Sequence, residues 1–182
     1  MIQKNTSIVK MVAALSGLLK NMAKGFNEKV TLREELKFLE DYITIEKMRY
    51  MEMFDVETQV EKEELYEAKI IKLTLQPLVE NAIFSGIEPG GKNGNIRIHI
   101  WQEENRLCVS VRDDGVGMTE EKIREIMENP QKRKGDTMSG IGLPNVDQRI
   151  KLVYGESYGI HIRSRVGEYT EILVTLPIEY GK

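Results

Sequence analysis

The sequence predicts an α+β protein: a two-layer sandwich in which a mixed β-sheet is covered by helices on one face, with a helical segment ahead of it. Three observations carry this. Ile96, Ile98 and Ile100 alternate with polar residues, and so do Leu107, Val109 and Val111, the period-two pattern of half-buried strands. Between such runs lie stretches whose apolar residues recur at three- and four-residue steps, so helices are interleaved with the strands and must cover one sheet face. The composition, 41% hydrophobic and 30% charged over 182 residues, supports a core of that size.

The elements follow in order. Ile8, Met11, Val12, Leu15, Leu18, Leu19 and Met22 stripe a helix over 8–24, ended by Gly25 and Asn27. Thr31 and Glu34 form a capping box for a second helix, which runs to about Met51 with Leu32, Leu36, Leu39 and Ile43 on one side. Val56, Thr58 and Val60 then alternate as a strand. "LTLQPLVENAIFSG" (73–86) reads as a helix with Pro77 in its first turn and Gly86 at the C′ position. "EPGGKNGN" is a loop, and Glu103, Glu104 and Asn105 turn a hairpin between two strands. Thr119 caps a short helix, and 129–140 lacks periodicity and is expected to be a mobile loop. Leu143, Val146, Ile150 and Val153 stripe a helix ended by Gly155, and Ile160/Ile162 and Ile172/Val174/Leu176 give two closing strands. The boundary between an N-terminal helical unit (1–53) and the sandwich (54–182) falls near residue 53.

The net charge of -3 and pI of 5.6 argue against a general nucleic-acid surface. The single Cys108, expected as a small core residue, excludes an internal disulfide framework and fits a reducing compartment. No run approaches the ~18 apolar residues of a membrane span, and no signal-peptide pattern opens the chain.

Chemistry concentrates at three places. In "LVENAIFSG", Glu80 and Asn81 interrupt an apolar helical run, where an unpartnered polar group costs about 1–3 kcal/mol. "DDGVGM" (113–118) follows a strand directly, which sets Asp113 at the strand's end and lets the backbone approach a ligand closely. "GIGLPNV" (140–146) places small residues and free N–H groups at a helix start, with Pro144 compatible with the first turn, the makings of an anion site. Each glycine turn alone is common. Neither a GxGxxG after the first strand nor a GK[ST] is present, so the dinucleotide fingerprint and the P-loop are both excluded.

Taken in order, an Asn-bearing helix, a strand with DxGxG, a loop with a GxGL helix and a closing strand pair with "GEYT" resemble the ATP-binding domain of the gyrase, chaperone, histidine kinase and MutL superfamily, with its Bergerat-type fold. More closely, "LTLQPLVENAI", "VSVRDDGVGM", "SGIGLPNVDQRIKLVYG" and "LPIE", together with the N-terminal "TLREELKFLEDYITIEKMRY", are similar to sensor histidine kinases of the autolysin-regulator (LytS-like) type. The resemblance covers nearly the whole chain. It implies ATP and Mg²⁺ as cofactors, with Asn81 as the metal ligand. It implies Asp113 reading the adenine amine, Gly115, Gly117 and Met118 shaping the adenine pocket, and Thr170 near the base. Gly140, Gly142 and Leu143 would lie against the triphosphate, Ser85 would face the phosphates, and Glu80 would polarise water or the acceptor imidazole. A lid is implied over 119–139, whose Lys132, Arg133 and Lys134 are either phosphate contacts or a solvated charge run.

The implied partners are a response regulator and a second copy in the full-length protein, with neither nucleic acid nor direct membrane contact. The implied setting is the cytoplasmic part of a membrane-anchored bacterial sensor. Two departures stand out. The family's Lys-His before the glycine is here Phe84-Ser85, and its phosphoacceptor box has no counterpart, since the two histidines, His99 and His161, alternate with isoleucines on expected strands. The chain is therefore expected to be a kinase fragment cut after its own phosphoacceptor, with Met1 a start added to the cut, and unable to phosphorylate itself. Two alternatives stay open: another ATPase of the superfamily, and a non-catalytic interaction module.

Overall fold

A computed structural model describes residues 28–128 and 142–181, together with the helical residues Ala13, Leu15 and Ser16. The rest of the expected 8–24 helix, the 129–140 loop, Lys132 to Lys134 and Gly140 lie outside the described residues.

In chain order the elements are β1 (Lys29–Thr31), α1 (Leu32–Arg49), β2 (Phe54–Val60), β3 (Lys69–Ile71), α2 (Gln76–Asn81), β4 (Gly94–Glu103), β5 (Arg106–Asp113), α3 (Glu120–Glu128), α4 (Gly142–Tyr154), β6 (Gly159–Arg165) and β7 (Tyr169–Pro177). Five strands form the main sheet in the order β2-β4-β5-β7-β6. β2 runs parallel to β4 and the other neighbours are antiparallel, so the sheet is mixed. Ile96, Ile98 and Ile100 of β4, Val109 and Val111 of β5, and Ile172 and Val174 of β7 point to one face, where they share a core with Leu78, Ile83, Val146 and Ile150 of the helical layer. Alternate positions carry Arg97, His99, Arg112 and Glu171 on the opposite face. His99 stacks on Trp101 at 4.8 Å and meets Glu61 at 3.0 Å, while His161 is exposed.

The capping box at Thr31 forms as its spacing predicts, with Glu34 N–H donating to Thr31 Oγ1 and Thr31 N–H donating to Glu34 Oε2. The helix it starts belongs to the same core as the sheet, through Leu32, Leu36, Leu39 and Tyr42. β1 and β3 pair antiparallel in a small second sheet, Val30 opposite Ile70. Three-residue strands are too short to show a period.

The 73–86 helix departs from expectation at both ends. Residues 72–75 form a turn in which Leu73 has φ 58, and α2 begins only at Gln76, with Pro77 in its first turn. Gly86 does not end it. Beyond Asn81 the chain continues as a π-helical turn over Ala82–Ile87 and a 3-10 turn over Glu88–Gly90, stopped by the left-handed Gly91. At the far end of α4, Val153 is 46% exposed although the stripe pattern places it inward.

Candidate functional site

The site is built where the helical layer meets the end of β5. Asp113 is the last residue of that strand, 2% exposed, and its register partner across β7 is Thr170, also buried. Asp113 Oδ1 accepts the Gly115 N–H at 2.9 Å, so the turn folds back onto its own carboxylate. Burial, outweighing that bond, pushes the carboxyl up to about 7.

The glycines are explained by what surrounds them. A Cβ at Gly86 would stand 2.3 Å from Asp113 Oδ1, and one at Gly115 would stand 2.2 Å from the Gly86 carbonyl. The Val116 N–H donates to that same carbonyl at 2.9 Å. Gly86 therefore serves close approach, not helix termination, and the π turn is what delivers it: in this widened turn the chain reaches Asp113 with its bare Cα. Gly117 takes φ 64, and a Cβ there would meet the Arg165 carbonyl at 2.1 Å. Met118 is buried, and its N–H donates to Ser164 Oγ at 2.7 Å. Ser164 in turn donates to the Tyr169 carbonyl and lies 3.0 Å from Thr170 Oγ1. Ser164 is a site residue that sequence reading missed. The available signal was a polar residue at the position in phase with Ile160 and Ile162.

The π turn that meets this strand end continues directly from α2. Asn81 is 4% exposed, and neither its Oδ1 nor its Nδ2 has a hydrogen-bond partner. A buried amide left unpaired on both atoms is costly and rare. It fits groups the chain does not itself supply: an oxygen donor suits a hard divalent cation, and an amide N–H₂ suits an anionic oxygen. Glu80, in contrast, has a partner within its own helix. It accepts from Gln76 Nε2 at 2.8 Å and is half-buried beside Tyr42 and Glu46 of α1, whose pKa values burial raises and the Glu80 charge raises further. Ser85 is half-buried within the π turn, where the four-residue step from Asn81 no longer closes a full turn. Phe84 meets Tyr50 edge-on at 5.9 Å under the Arg49 guanidinium, a packing role at the end of α1.

Gly142 opens α4, and a Cβ there would stand 2.9 Å from Pro77 Cβ, so this glycine seats α4 against the start of α2. Leu143 is in the core. Of the expected site residues, Asp113, Gly115, Gly117, Met118 and Thr170 come together around the strand end, and Asn81 and Gly142 sit on the two helices packed beside it.

A mixed sheet under one helical layer, with a glycine-framed carboxylate at a strand end and an unpaired amide on the covering helix, defines a nucleotide-binding domain of the α/β sandwich class. Residues 67–180 match the family described as histidine kinase-, DNA gyrase B- and HSP90-like ATPase, and residues 1–54 match the family described as histidine kinase. The chain belongs to the first of these families, as an ATP-binding domain of the sensor histidine kinase type.

Among full-length relatives, it is 36% identical to sensor histidine kinase YesM of Bacillus subtilis over 93% of this chain and 28% of that protein. It is 37% identical to sensor histidine kinase YpdA of Escherichia coli over 83% of this chain and 25% of that protein. Sensor protein LytS of Bacillus anthracis is 28% identical over 84% of this chain and 26% of that protein. The chain thus spans about a quarter of the length of these relatives. In fold it is similar to the catalytic domain of histidine kinase ThkA, at TM-score 0.61 and 24% identity, covering 83% of this chain and 95% of that one. The mycobacterial sensor histidine kinase MprB gives TM-score 0.59 at 18% identity, covering 85% and 99%.

Proposed function

We propose that this chain holds Mg·ATP between α2 and the end of β5 and transfers the γ-phosphoryl group to a histidine on the phosphoacceptor region of a sensor kinase. From there the group passes to an aspartate of a response regulator. The observation that carries this is the buried Asn81 amide with both atoms unpaired, on the helix whose continuation brings Gly86 against a carboxylate framed by glycines.

In this reading Asp113 accepts the N–H of the adenine amine, and Gly115, Gly117 and Met118 leave room for the base, with Thr170 beside them. Asn81 Oδ1 would be the chain's ligand to Mg²⁺, a hard ion suited to an amide oxygen. Held there, a divalent cation would supply charge neutralisation for the γ-phosphoryl oxygens. Gly142 and Leu143 would offer the phosphates the N–H groups at the start of α4, a role also proposed for Gly140, which lies outside the described residues, and Ser85 would meet them from the π turn. Glu80 orients the acceptor imidazole or a water, a general-base task. The parent protein works as a dimer anchored in a bacterial membrane, with this part on the cytoplasmic side. No helix among the described residues is long and apolar enough to cross a membrane.

Isothermal calorimetry is expected to give micromolar-to-millimolar Mg·ATP binding that Asp113→Asn strongly weakens. A folded chain that releases no heat with Mg·ATP would overturn the proposal. With γ-labelled ATP the chain alone stays unlabelled, while a phosphoacceptor segment supplied to it takes up acid-labile label only when Asn81 is intact. Acid-labile label on His99 or His161 would overturn that expectation.

A further inference from the structure

The helix carrying Asn81 is six residues long and lacks a cap of its own. Its N-cap residue, Leu75, offers no side-chain oxygen to the first turn. The turn that leads into it is instead held by a side chain from far away in the sequence. Glu35, in the first turn of α1, is 2% exposed, and its carboxylate accepts the N–H groups of Leu73 at 3.0 Å, Thr74 at 2.8 Å and Leu75 at 3.0 Å. On the other side of the same turn, Arg149 Nη2 of α4 donates to the Leu73 carbonyl at 2.8 Å. Leu73 itself has φ 58, a conformation that costs a non-glycine residue about 1–3 kcal/mol and persists only where its surroundings over-determine it. Here they do.

We propose that Glu35 is a positioning residue for the nucleotide site: it holds the start of α2, with Arg149 as counter-anchor, and thereby sets where Asn81 stands. Several features favour this over a purely structural cap. A helix of this length is only about 9 Å from end to end, so its first turn and Asn81 move as one body. Arg149 sits on the helix whose first residue, Gly142, packs against Pro77, so the two helices flanking the site are tied at the same joint. Burial pushes the Glu35 carboxyl above its ordinary range, opposed by the three N–H groups and by Arg149. The carboxylate is thus held at a cost that a neutral, solvated cap would not incur. Through this joint α1 sets the pose of Asn81 without touching nucleotide.

The inference rests on the nucleotide role proposed for Asn81, and the test separates the two. In the full chain, Glu35→Gln keeps the side chain's shape and halves its carbonyl-type acceptors. Its affinity for Mg·ATP is expected to fall about fivefold or more, the usual range for coupling between sites. Its affinity for metal-free adenosine, read by chemical-shift titration, should stay within about twofold, because adenosine has no phosphate or metal for Asn81 to meet. Asn81→Ala is the control. If Asn81→Ala loses Mg·ATP affinity while Glu35→Gln melts lower yet binds normally, Glu35 is only structural and the inference is wrong. If neither variant alters Mg·ATP affinity, the assignment of Asn81 fails and takes the inference with it. Should Glu35→Gln not fold, the unaltered chain decides. Coupling is reciprocal, so exchange of the Leu73, Thr74 and Leu75 amide hydrogens must slow with Mg·ATP and not with adenosine. Unchanged rates would overturn the proposal.

Discussion

The two walls of the site are made in opposite ways. The β5 wall is self-supporting: sheet register sets Asp113 opposite Thr170, the turn bonds its own carboxylate through Gly115, and the bare faces of Gly86 and Gly115 close around it. The α2 wall is a short helix clamped at its start by Glu35 and Arg149, and its functional end carries an amide with nothing to bond. One wall spends its interactions on itself, whereas the other keeps them open. Pre-formed shape therefore belongs to the side proposed to recognise the base, and unsatisfied chemistry to the side proposed to meet the phosphates.

The largest effect should come from breaking the self-supporting wall. Gly115→Val drives side-chain carbons into the Gly86 backbone, where not even a Cβ fits. Such overpacking typically costs about 1–3 kcal/mol and more where backbone must shift. Urea denaturation should show at least that loss, and nucleotide binding should vanish.

Next is the charge enclosed by the same wall. Because burial raises Asp113 to about 7, the folded chain holds a proton that the unfolded chain has released. Stability should therefore fall as pH rises from about 4 to about 7 and stay low above that, by up to a few kcal/mol on the linkage relation. Asp113→Asn should flatten this dependence and raise the nucleotide-free melting temperature at pH 8 more than at pH 5. ATP, which offers its amine to the ionised form, should stabilise the unaltered chain more at pH 8 than at pH 6. A melting profile in which Asp113→Asn is uniformly destabilised would show that the carboxylate is already satisfied without nucleotide.

The smallest effect concerns the open wall. Asn81→Leu removes an unpaired buried amide at similar volume, so the nucleotide-free chain should gain roughly 1 kcal/mol in denaturation while losing its magnesium-dependent binding. A loss of stability would mean that the amide has a structural partner.

How much of this was legible in the sequence follows the range of the interactions. The strands of the main sheet show their period, and Thr31 and Glu34 announce a cap, because such signals span a few neighbouring residues. The carboxylate at the end of β5 and the asparagine on α2 stood out for the same reason. Glu35 could not, since its partners are backbone groups that any residues would carry, brought near only by the fold. Gly86 reads in the sequence as a helix end because a glycine needed for close approach and a glycine needed for a left-handed cap look alike there. The left-handed residues that flank this helical stretch are Leu73, which no propensity favours, and Gly91 further on.

The widened turn over Ala82–Ile87 amounts to one residue inserted into a helix. Were the turn to tighten to regular α spacing with its residue count unchanged, Gly86 would rotate by about 100° around the axis and a residue with a side chain would arrive at Asp113 in its place. Loss of one residue between Asn81 and Gly86 would instead let a regular α turn bring the glycine back to nearly the same bearing, because the wider turn spreads one extra residue over the same sweep. The widening is thus what keeps a bare Cα against the carboxylate at this segment length, so substitutions that favour a regular α turn here should cost nucleotide affinity.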